Sequence, residues 1–446
     1  MQLFWRKGWL KLKKYKLIAI LLIGIFFLGS INLVQAISRE GKINKNVYIN
    51  DIDLSNLYKN EAISKIKERI NLNNEISLKY NDKEFKLKLN EIGVNYNIDE
   101  AVSSAYMVGR DKDFISNIKT KIDLDLGENK SIKLNYTYNE DKLNYYINLI
   151  NSKIKVEPLN ANIRLVDGKL TYEKEVYGLK IDEEDLKKSI LNNLENISSN
   201  EITINVKKLT PKYLYKELSK VDTELGYYET DFNENNKNRA NNIKIASDAI
   251  NNIIVNPGEE FSFNEHMHNC YVKKMFENAP IIVNGKLEKG LGGGICQVSS
   301  TLYNTVLYSG LEVTRIRNHS IPSSYINKGR DATVSHGNLD FRFKNNSDTP
   351  IVIFSNVHNN KVKTTIYGQA KNKKNIEIFT DIVECIPNKT ETKSSNELYK
   401  GEKYIEEGRK GYKVKTYRVY KESQDIELIN ESYYPPKNKI IIYGNK

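Results

Sequence analysis

Cysteine, proline and tryptophan are scarce in this chain. It has 3 cysteines, 9 prolines and 2 tryptophans among 446 residues. Cysteines at positions 270, 296 and 385 are too few and too far apart for a disulfide-stapled mini-domain or a CxxC zinc site. The low proline content, without a long serine, glutamine or glutamate tract, excludes a chain that is disordered throughout. At roughly 150 residues per domain, the length predicts about three folded domains.

Acidic residues are fewer than basic ones, 56 against 68, which gives a formal net charge of +12. A basic exported surface favours anionic neighbours such as lipid head groups, teichoic-acid-like polymers or acidic wall peptides. A low G+C content of the coding DNA would also enrich lysine and asparagine, without any functional reason. The charge alone therefore leaves both explanations open.

The first 16 residues are basic and precede an apolar stretch, LIAILLIGIFFL at 17–28, that continues more weakly to about 37. About 20 apolar residues span a bilayer, and clustered basic residues stay on the cytoplasmic side. We therefore predict a cytoplasmic tail at 1–16 and a single transmembrane anchor at 17–37, with the later domains outside the cytoplasm and facing the cell wall. The alternative is a cleaved signal peptide ending near the VQA of 34–36. Both place the chain where nucleic acid is not an expected partner.

The exported part divides into segments of different pattern. Residues 38–75 indicate a linker with a strand at 47–49 and a helix around 57–70, and residues 76–210 mix alternating strands with polar helices. The stretches 91–100 and 176–183 share a strand, a glycine, another strand and an Asp-Glu pair, which predicts a weak internal repeat. Residues 371–446 alternate as antiparallel strands, with an edge turn at 433–436. The predicted fold class is α+β and multi-domain, with a small all-β C-terminal domain.

Two of these segments resemble modules of cell-wall proteins. Residues 76–210 contain no cysteine or histidine, which favours binding or spacing over chemistry. They resemble a peptidoglycan-binding domain found upstream of wall-modifying catalytic domains. Residues 371–446 resemble the G5 module in Glu407, Gly408, Gly411 and Tyr417 and in the closing segment. The second resemblance implies binding to glycan, although a plain β-sheet spacer would look much the same.

The densest chemical signal is GLGGGICQVSSTLYNTVLYSG at 290–310. Its three consecutive glycines, 292–294, form a tight loop that a substrate backbone can approach closely. Apolar residues then follow at helical spacing up to Gly310, a natural helix stop. Cys296 is therefore predicted at a helix N-terminus, where the helix dipole and free N–H groups favour a thiolate and can form an oxyanion hole. The alternative for Cys296 is a buried, inert core thiol.

A cysteine nucleophile needs a base, and the chain has 5 histidines. His319 is the preferred partner, because a helix-turn-strand return after Cys296 can bring it back to the thiol. His336, in a predicted strand at 331–336, is the second candidate. Spacing alone does not decide whether either histidine reaches the thiol.

A competing cluster is His266, His268 and Cys270. On a strand these three side chains would share one face, as metal ligands do, but no fourth ligand is evident nearby. A polar surface loop is the preferred interpretation. We predict no metal and no cofactor, and the sequence leaves Cys270 and Cys385 either free or paired.

Five ordered motifs within residues 216–370 resemble those of the VanW family, which is named from vancomycin-resistance gene clusters. They are PGEEFSFN at 257–264, GGGICQVSSTLYN at 292–304, RNHS at 317–320, GRDATV at 329–334 and DFRFKN at 340–345. Thr223, Arg239 and Asn242 also fit the opening segment of the family. Residues 265–276 depart from the family pattern, and the Gly-Tyr expected ahead of Ala279 is missing.

VanW-domain proteins with this layout include L,D-transpeptidases, so the resemblance implies that Cys296 is the catalytic cysteine and His319 its partner. Our hypothesis is a peptidoglycan L,D-transpeptidase that forms 3-3 cross-links through a thioester, or an L,D-carboxypeptidase if water is the acceptor. Its partners would be the stem peptides and glycan of peptidoglycan. Asp331 is the candidate third catalytic group, and the candidate substrate-binding residues are Gly293, Gly294, Gln297, Ser299, Arg317 and His336. The Ser-x-Gly-Cys motif of conventional L,D-transpeptidases is absent. A non-catalytic wall-binding protein and a metal-dependent hydrolase using His266 and His268 remain as alternatives.

Overall fold

A computed structural model describes residues 16, 19–20, 41–197, 201–283 and 286–446. Apart from 19–20, the predicted anchor at 17–37 lies outside the described residues. Within the described ranges, no helix combines the length and the apolar character needed to cross a membrane. The described chain forms two compact units: one contains the residues up to Pro158 and Tyr177–Thr210, and the other contains Leu159–Val176 and Pro211–Lys446.

The first unit mixes helices with small sheets. Its helices are α1 (Lys59–Leu72), α2 (Ile98–Met107), α3 (Phe114–Asp125), α4 (Glu140–Ile154) and α5 (Glu183–Asn196). Its strands are β1 (Val47–Ile49), β2 (Ile52–Asp53), β3 (Glu75–Tyr80), β4 (Lys83–Lys88), β5 (Asn95–Tyr96), β6 (Lys130–Ile132), β7 (Tyr136–Thr137), β10 (Gly178–Ile181), β11 (Glu201–Thr203) and β12 (Val206–Leu209). The sheets have the orders β2-β1-β6, β11-β3-β4, β10-β12 and β5-β7.

Local sequence explains the helices of this unit. In α4 the buried residues Leu143, Ile147, Ile150 and Ile154 recur every three or four positions, so one face of the helix enters the core. The two repeat stretches each lead into a helix. Asp182 caps α5 by accepting the Asp185 N–H, while the corresponding Asp-Glu pair lies in the first turn of α2.

The second unit carries the glycine-rich motif and the C-terminal strands. Its helices are α6 (Tyr215–Leu218), α7 (Lys237–Ala249), α8 (Phe263–Val272) and α9 (Ile295–Tyr308), with a 3₁₀ turn at Ala370–Asn372. Its strands are β8 (Asn162–Val166), β9 (Lys169–Glu173), β13 (Thr223–Asp231), β14 (Ile253–Val255), β15 (Glu260–Ser262), β16 (Asn278–Val283), β17 (Lys286–Leu291), β18 (Glu312–Arg315), β19 (Arg342–Lys344), β20 (Ile351–His358), β21 (Lys361–Gly368), β22 (Ile376–Ile386), β23 (Thr390–Ser395), β24 (Lys403–Glu406), β25 (Gly411–Tyr420), β26 (Ile426–Tyr434) and β27 (Lys439–Gly444).

Helix α9 lies at the centre of this unit. Val298, Leu302, Tyr303 and Val306 are fully buried in a core that also receives side chains from the antiparallel sheet β13-β21-β20-β14 and from the sheet β15-β19-β18. The β8-β9 hairpin, which lies inside the predicted segment 76–210, also belongs to this unit. Its Ala161 and Ile163 pack with residues of the same unit, since apolar strand residues need a core to cover them.

The C-terminal region is all-β, as the alternating pattern predicts. It consists of two sheets with the orders β22-β25-β26 and β23-β27-β24. The predicted edge turn at 433–436 is wrong in its first half, because Tyr433 and Tyr434 end strand β26 and pair with β25. Tyr434 is fully buried, which explains why the chain stays in register there.

One buried side chain holds the glycine loop in place before α9. Asn242 of α7 donates to the carbonyls of Glu277 and Gly293 at 2.9 and 3.0 Å and accepts the Glu277 N–H at 2.8 Å. Its side chain is completely buried, so water cannot replace these bonds. The neighbouring Asn241 is exposed and makes one bond of 3.3 Å to the Glu277 carboxylate.

We therefore expect Asn242→Ala to destabilise the protein by about 2–3 kcal/mol, since it leaves buried backbone groups without partners. Asn241→Ala should change the free energy of unfolding by less than about 0.5 kcal/mol, as surface changes usually do. Denaturant unfolding measures both variants. Equal midpoints for the two would contradict the role of Asn242.

Candidate active site

Cys296 lies in the first turn of α9 and is partly exposed. Gly294 precedes the helix with a φ of 117°, a left-handed conformation that a residue with a side chain rarely adopts. The N–H groups of Ile295 and Gln297 donate to the carbonyls of Gly292 and Gly294 at 3.1 and 3.0 Å. Within the described ranges no such bond is formed by the Cys296 N–H, so it is a free donor at the positive end of the helix dipole.

Cys296, His319 and Asp331 form a chain of neighbouring polar groups, in which His319 and Asp331 are hydrogen-bonded. His319 Nδ1 lies 2.6 Å from Asp331 Oδ2, and the backbone N–H of His319 donates to the same oxygen at 2.7 Å. Both side chains are buried. Because Nδ1 is used by the carboxylate, Nε2 is the nitrogen left to interact with Cys296. The Cys296 thiol also donates to the Val334 carbonyl at 3.3 Å. The arrangement is that of a nucleophile, a base and a group that orients the base.

The electrostatics of this chain favour an ion pair. Burial raises the pKa of the Cys296 thiol, but the hydrogen bond and charge of His319, helped by Val334 and Arg239, outweigh it and lower the pKa below its ordinary value. Burial lowers the pKa of His319, but the bonds to Asp331 and Cys296 outweigh it and raise the pKa to about 10. Both shifts favour a thiolate–imidazolium pair, and the thiolate is the nucleophilic form of cysteine.

Arg239 of α7 places a second positive charge near the thiol. Its guanidinium donates to Gln297 Oε1 at 2.8 Å, and Gln297 Nε2 donates to Thr230 Oγ1 at 3.1 Å and to the Asp231 carbonyl at 2.8 Å. Gln297 is buried and its amide is engaged on both sides. Its amide therefore holds Arg239 in place, and the substrate-binding role of Gln297 stays a prediction.

The segment after Gly329 runs beside the polar face of α9. Ser299 Oγ donates to the Ala332 carbonyl at 2.6 Å, Ser300 Oγ accepts the Ala332 N–H at 2.9 Å, and Asn304 Nδ2 donates to the Arg330 carbonyl at 2.8 Å. These bonds replace a sheet ladder, so the predicted strand at 331–336 does not form. Ser299 is fully buried against this segment, and its substrate-binding role stays a prediction.

The other predicted residues fall into two groups. Gly293 and Gly294 are buried in the loop, and a Cβ at Gly293 would lie 2.5 Å from the Pro280 carbonyl oxygen, so the loop requires glycine there.

Arg317 and His336 are exposed. The His336 ring lies 4.4 Å from that of Tyr271, and His336 also lines a cavity of about 500 Å³. The cavity is lined by Ser262, Asn264, Glu265, His268, Arg315, His336, Gly337, Asn338, Asp340 and Arg342.

The His266, His268 and Cys270 cluster is neither a strand nor a loop. It lies in α8, where His266 stacks on Phe261 with ring centroids 4.7 Å apart and Cys270 is buried in the core. A helix turns about 100° per residue, so His268 is carried away from the other two. In the part of the chain that the structure describes, no group of three His, Cys, Asp or Glu side chains could hold a metal ion.

Sequence reasoning missed three side chains around the site. Arg239 fits the opening segment of the family, but the sequence assigned no role to it. Tyr325 lies close to Cys296. Burial raises the pKa of the Tyr325 hydroxyl, and the charge of Cys296 raises it further. Tyr434 donates a hydrogen bond to Asp331 Oδ1 from the C-terminal strands. No sequence signal connects residues 331 and 434, since they are 103 positions apart.

Comparison with family models finds the "VanW like protein" model at residues 238–367, the "Putative peptidoglycan binding domain" model at 85–203 and the G5 domain model at 380–446. A solved G5 domain of an IgA1 protease aligns with 17% of the chain and 94% of its own length at 22% identity, and its TM-score of 0.14 carries no conclusion.

Two curated proteins are similar to this chain. The Bacillus subtilis protein YoaR, described as uncharacterized, is 35% identical over 233 residues, which are 51% of this chain and 75% of YoaR. The vancomycin B-type resistance protein VanW of Enterococcus faecalis is 29% identical over 137 residues, 30% of this chain and half of that protein's length. With its VanW-like, peptidoglycan-binding and G5 segments, the chain belongs to the VanW family.

Proposed function

We propose that this VanW-family protein is a peptidoglycan L,D-transpeptidase that works through a thioester on Cys296. The observation that carries the proposal is the buried, hydrogen-bonded His319–Asp331 pair beside Cys296 at the start of α9. The peptidoglycan-binding and G5 segments support a cell-wall substrate.

In the first half-reaction the Cys296 thiolate attacks the carbonyl carbon of the third residue of a wall tetrapeptide. A C–S bond forms, the C–N bond to the terminal D-Ala breaks, and the His319 imidazolium gives its proton to the leaving amine. The negative oxygen of the tetrahedral intermediate is stabilised by the free N–H of Cys296 and by the positive charge of Arg239.

In the second half-reaction the side-chain amine of a neighbouring third residue attacks the thioester. His319 accepts a proton from the amine, the new amide bond forms, and the C–S bond breaks to return the thiolate. The product is a 3-3 cross-link. Water in place of the amine would give an L,D-carboxypeptidase.

The location belongs to the same proposal. The apolar stretch at 17–37 would anchor the chain in the cell membrane, with the domains from residue 38 onward facing the wall. Peptidoglycan stem peptides and glycan would be the partners of these domains. This arrangement brings a membrane-bound thiol to newly made wall material.

We expect Cys296 to react with iodoacetamide at pH 7 at least tenfold faster than the exposed Cys385 of the same chain, because the pKa of the Cys296 thiol is lowered. His319→Gln should abolish this advantage, because the imidazolium that stabilises the thiolate is gone. Peptide mass mapping over time measures both rates. Faster labelling of Cys385 in the wild-type protein would contradict a thiolate at Cys296.

The rate of transpeptidation should stay high from near neutral pH upward and fall as the pH passes about 10. The ion pair requires a deprotonated Cys296, whose pKa is lowered, and a protonated His319, whose pKa is raised to about 10. Initial rates between pH 5 and pH 11 measure this profile. A loss of activity already at pH 8 would place the acid on another group.

Full-length protein incubated with disaccharide-tetrapeptide should yield a dimer that lacks one D-Ala, detected by mass spectrometry. Cys296→Ala should abolish the dimer, and the matched variant Cys385→Ala, which removes an exposed thiol, should leave the yield unchanged. Tripeptide alone would identify a carboxypeptidase. Unchanged tetrapeptide with folded, reduced protein would refute the enzyme and favour a non-catalytic wall-binding protein.

A further inference from the structure

The C-terminal β region supplies a side chain to the candidate active site. Tyr434, the last residue of β26, is completely buried. Its hydroxyl donates to Asp331 Oδ1 and accepts the Gly329 N–H at 2.7 Å. Both bonds lead to the segment that carries Asp331.

We infer that Tyr434 is a positioning residue that fixes the Asp331 carboxylate, so that the G5 segment completes the Cys296–His319–Asp331 chain. The inference rests on the proposed function, because that function is what gives Cys296, His319 and Asp331 a catalytic role. It adds that the C-terminal region takes part in building the site, beyond any binding to the wall.

The hydrogen bonds of Asp331 explain why the tyrosine matters. Oδ2 accepts both the backbone N–H and the Nδ1–H of His319, while Oδ1 accepts from Tyr434. Bonds on both oxygens fix the plane of the carboxylate. Loss of the tyrosine hydroxyl would leave Oδ1 without this buried hydrogen bond and the carboxylate less firmly held.

Other contacts prevent Tyr434 from moving away from Asp331. Thr416 Oγ1 on β25 donates to the Gly329 carbonyl at 2.8 Å. The two segments pack so closely here that a Cβ on Gly329 would lie 2.6 Å from Thr416 Oγ1. Asn318 Nδ2, next to His319, donates to the Tyr433 carbonyl at 2.9 Å. The end of β26 is therefore bonded to the segments of both His319 and Asp331.

A second buried contact ties the same sheet to the VanW segment. Arg418 of β25 is 2% exposed, and its guanidinium donates to the Leu311 carbonyl at 2.8 Å, just after α9. A surface attachment of a spacer domain would not need a buried arginine, because burying a charge is costly unless it is bonded. The sheet is thus bonded both to the segment that carries Asp331 and to the backbone just after the C-terminal end of α9.

Several titratable groups around Asp331 would be affected if its carboxylate were held less firmly. His319 and Tyr434 are bonded to it, the buried rings of Tyr303 and Tyr325 feel its charge, and Cys296 is reached through His319. A less firmly held Asp331 carboxylate stabilises the imidazolium less. The thiolate then loses its partner charge, and its formation requires a higher pH.

The test is the pH profile of Cys296 alkylation in the full-length chain carrying Tyr434→Phe. We expect the acid limb of the profile to shift upward by about one pH unit, so that labelling below the limb slows about tenfold. Tyr433→Phe is the matched control, because its ring is half-exposed and its backbone carbonyl is retained. The control should keep the wild-type profile.

Thermal unfolding of the same variants separates positioning from stability. A lower melting temperature for Tyr434→Phe with an unshifted pH profile would overturn the inference. If Tyr434→Phe does not fold, Thr416→Val decides, since it keeps the tyrosine but removes the bond to the Gly329 carbonyl. A smaller shift of the limb in the same direction supports positioning, and an unshifted limb overturns it.

Alkylation does not depend on turnover, so the two proposals fail differently. A shifted limb in a protein that makes no cross-link would uphold the positioning role and refute the transpeptidase. A protein that makes the cross-link, with an unshifted limb in Tyr434→Phe, would uphold the enzyme and refute the positioning role.

Discussion

The buried carboxylate of Asp331 is the group on which the candidate site depends. It receives two hydrogen bonds from His319 and one from Tyr434, and through His319 it reaches the thiol of Cys296. These three bonds hold the carboxylate and the imidazole in one orientation beside the half-buried Cys296.

The chain around this carboxylate is arranged by polar groups within an apolar core. One face of α9 packs against the sheets, and the other presents Ser299, Ser300 and Asn304 to the backbone before and after Asp331. Asn242 does the same for the glycine loop on the other side of Cys296. Because these bonds are buried, each is costly to lose, and the loop and the carboxylate segment keep a fixed distance from the thiol.

The contribution of the C-terminal strands changes the view of the family's domain layout. A G5 segment at the end of a wall protein is readily explained as a glycan-binding attachment. In this chain the buried side chains of Tyr434, Thr416 and Arg418 bond to backbone and carboxylate groups of the VanW segment. The two segments share one buried polar network, so changes in the β strands are expected to reach the thiol through Asp331.

The sequence by itself determined the α+β class, the all-β C-terminal region, the helix after the glycine loop and the family, because apolar periodicity and glycine positions are local signals. It also proposed Cys296, His319 and Asp331 as the catalytic groups. Tertiary structure alone decided which groups Gln297 and Ser299 bond to, that the 331–336 segment is bonded to α9 instead of a sheet, and that residues 266–270 are helical. It alone brought Arg239 and Tyr434 to the site, because contacts between distant residues arise from how helices and sheets pack, which local pattern does not encode.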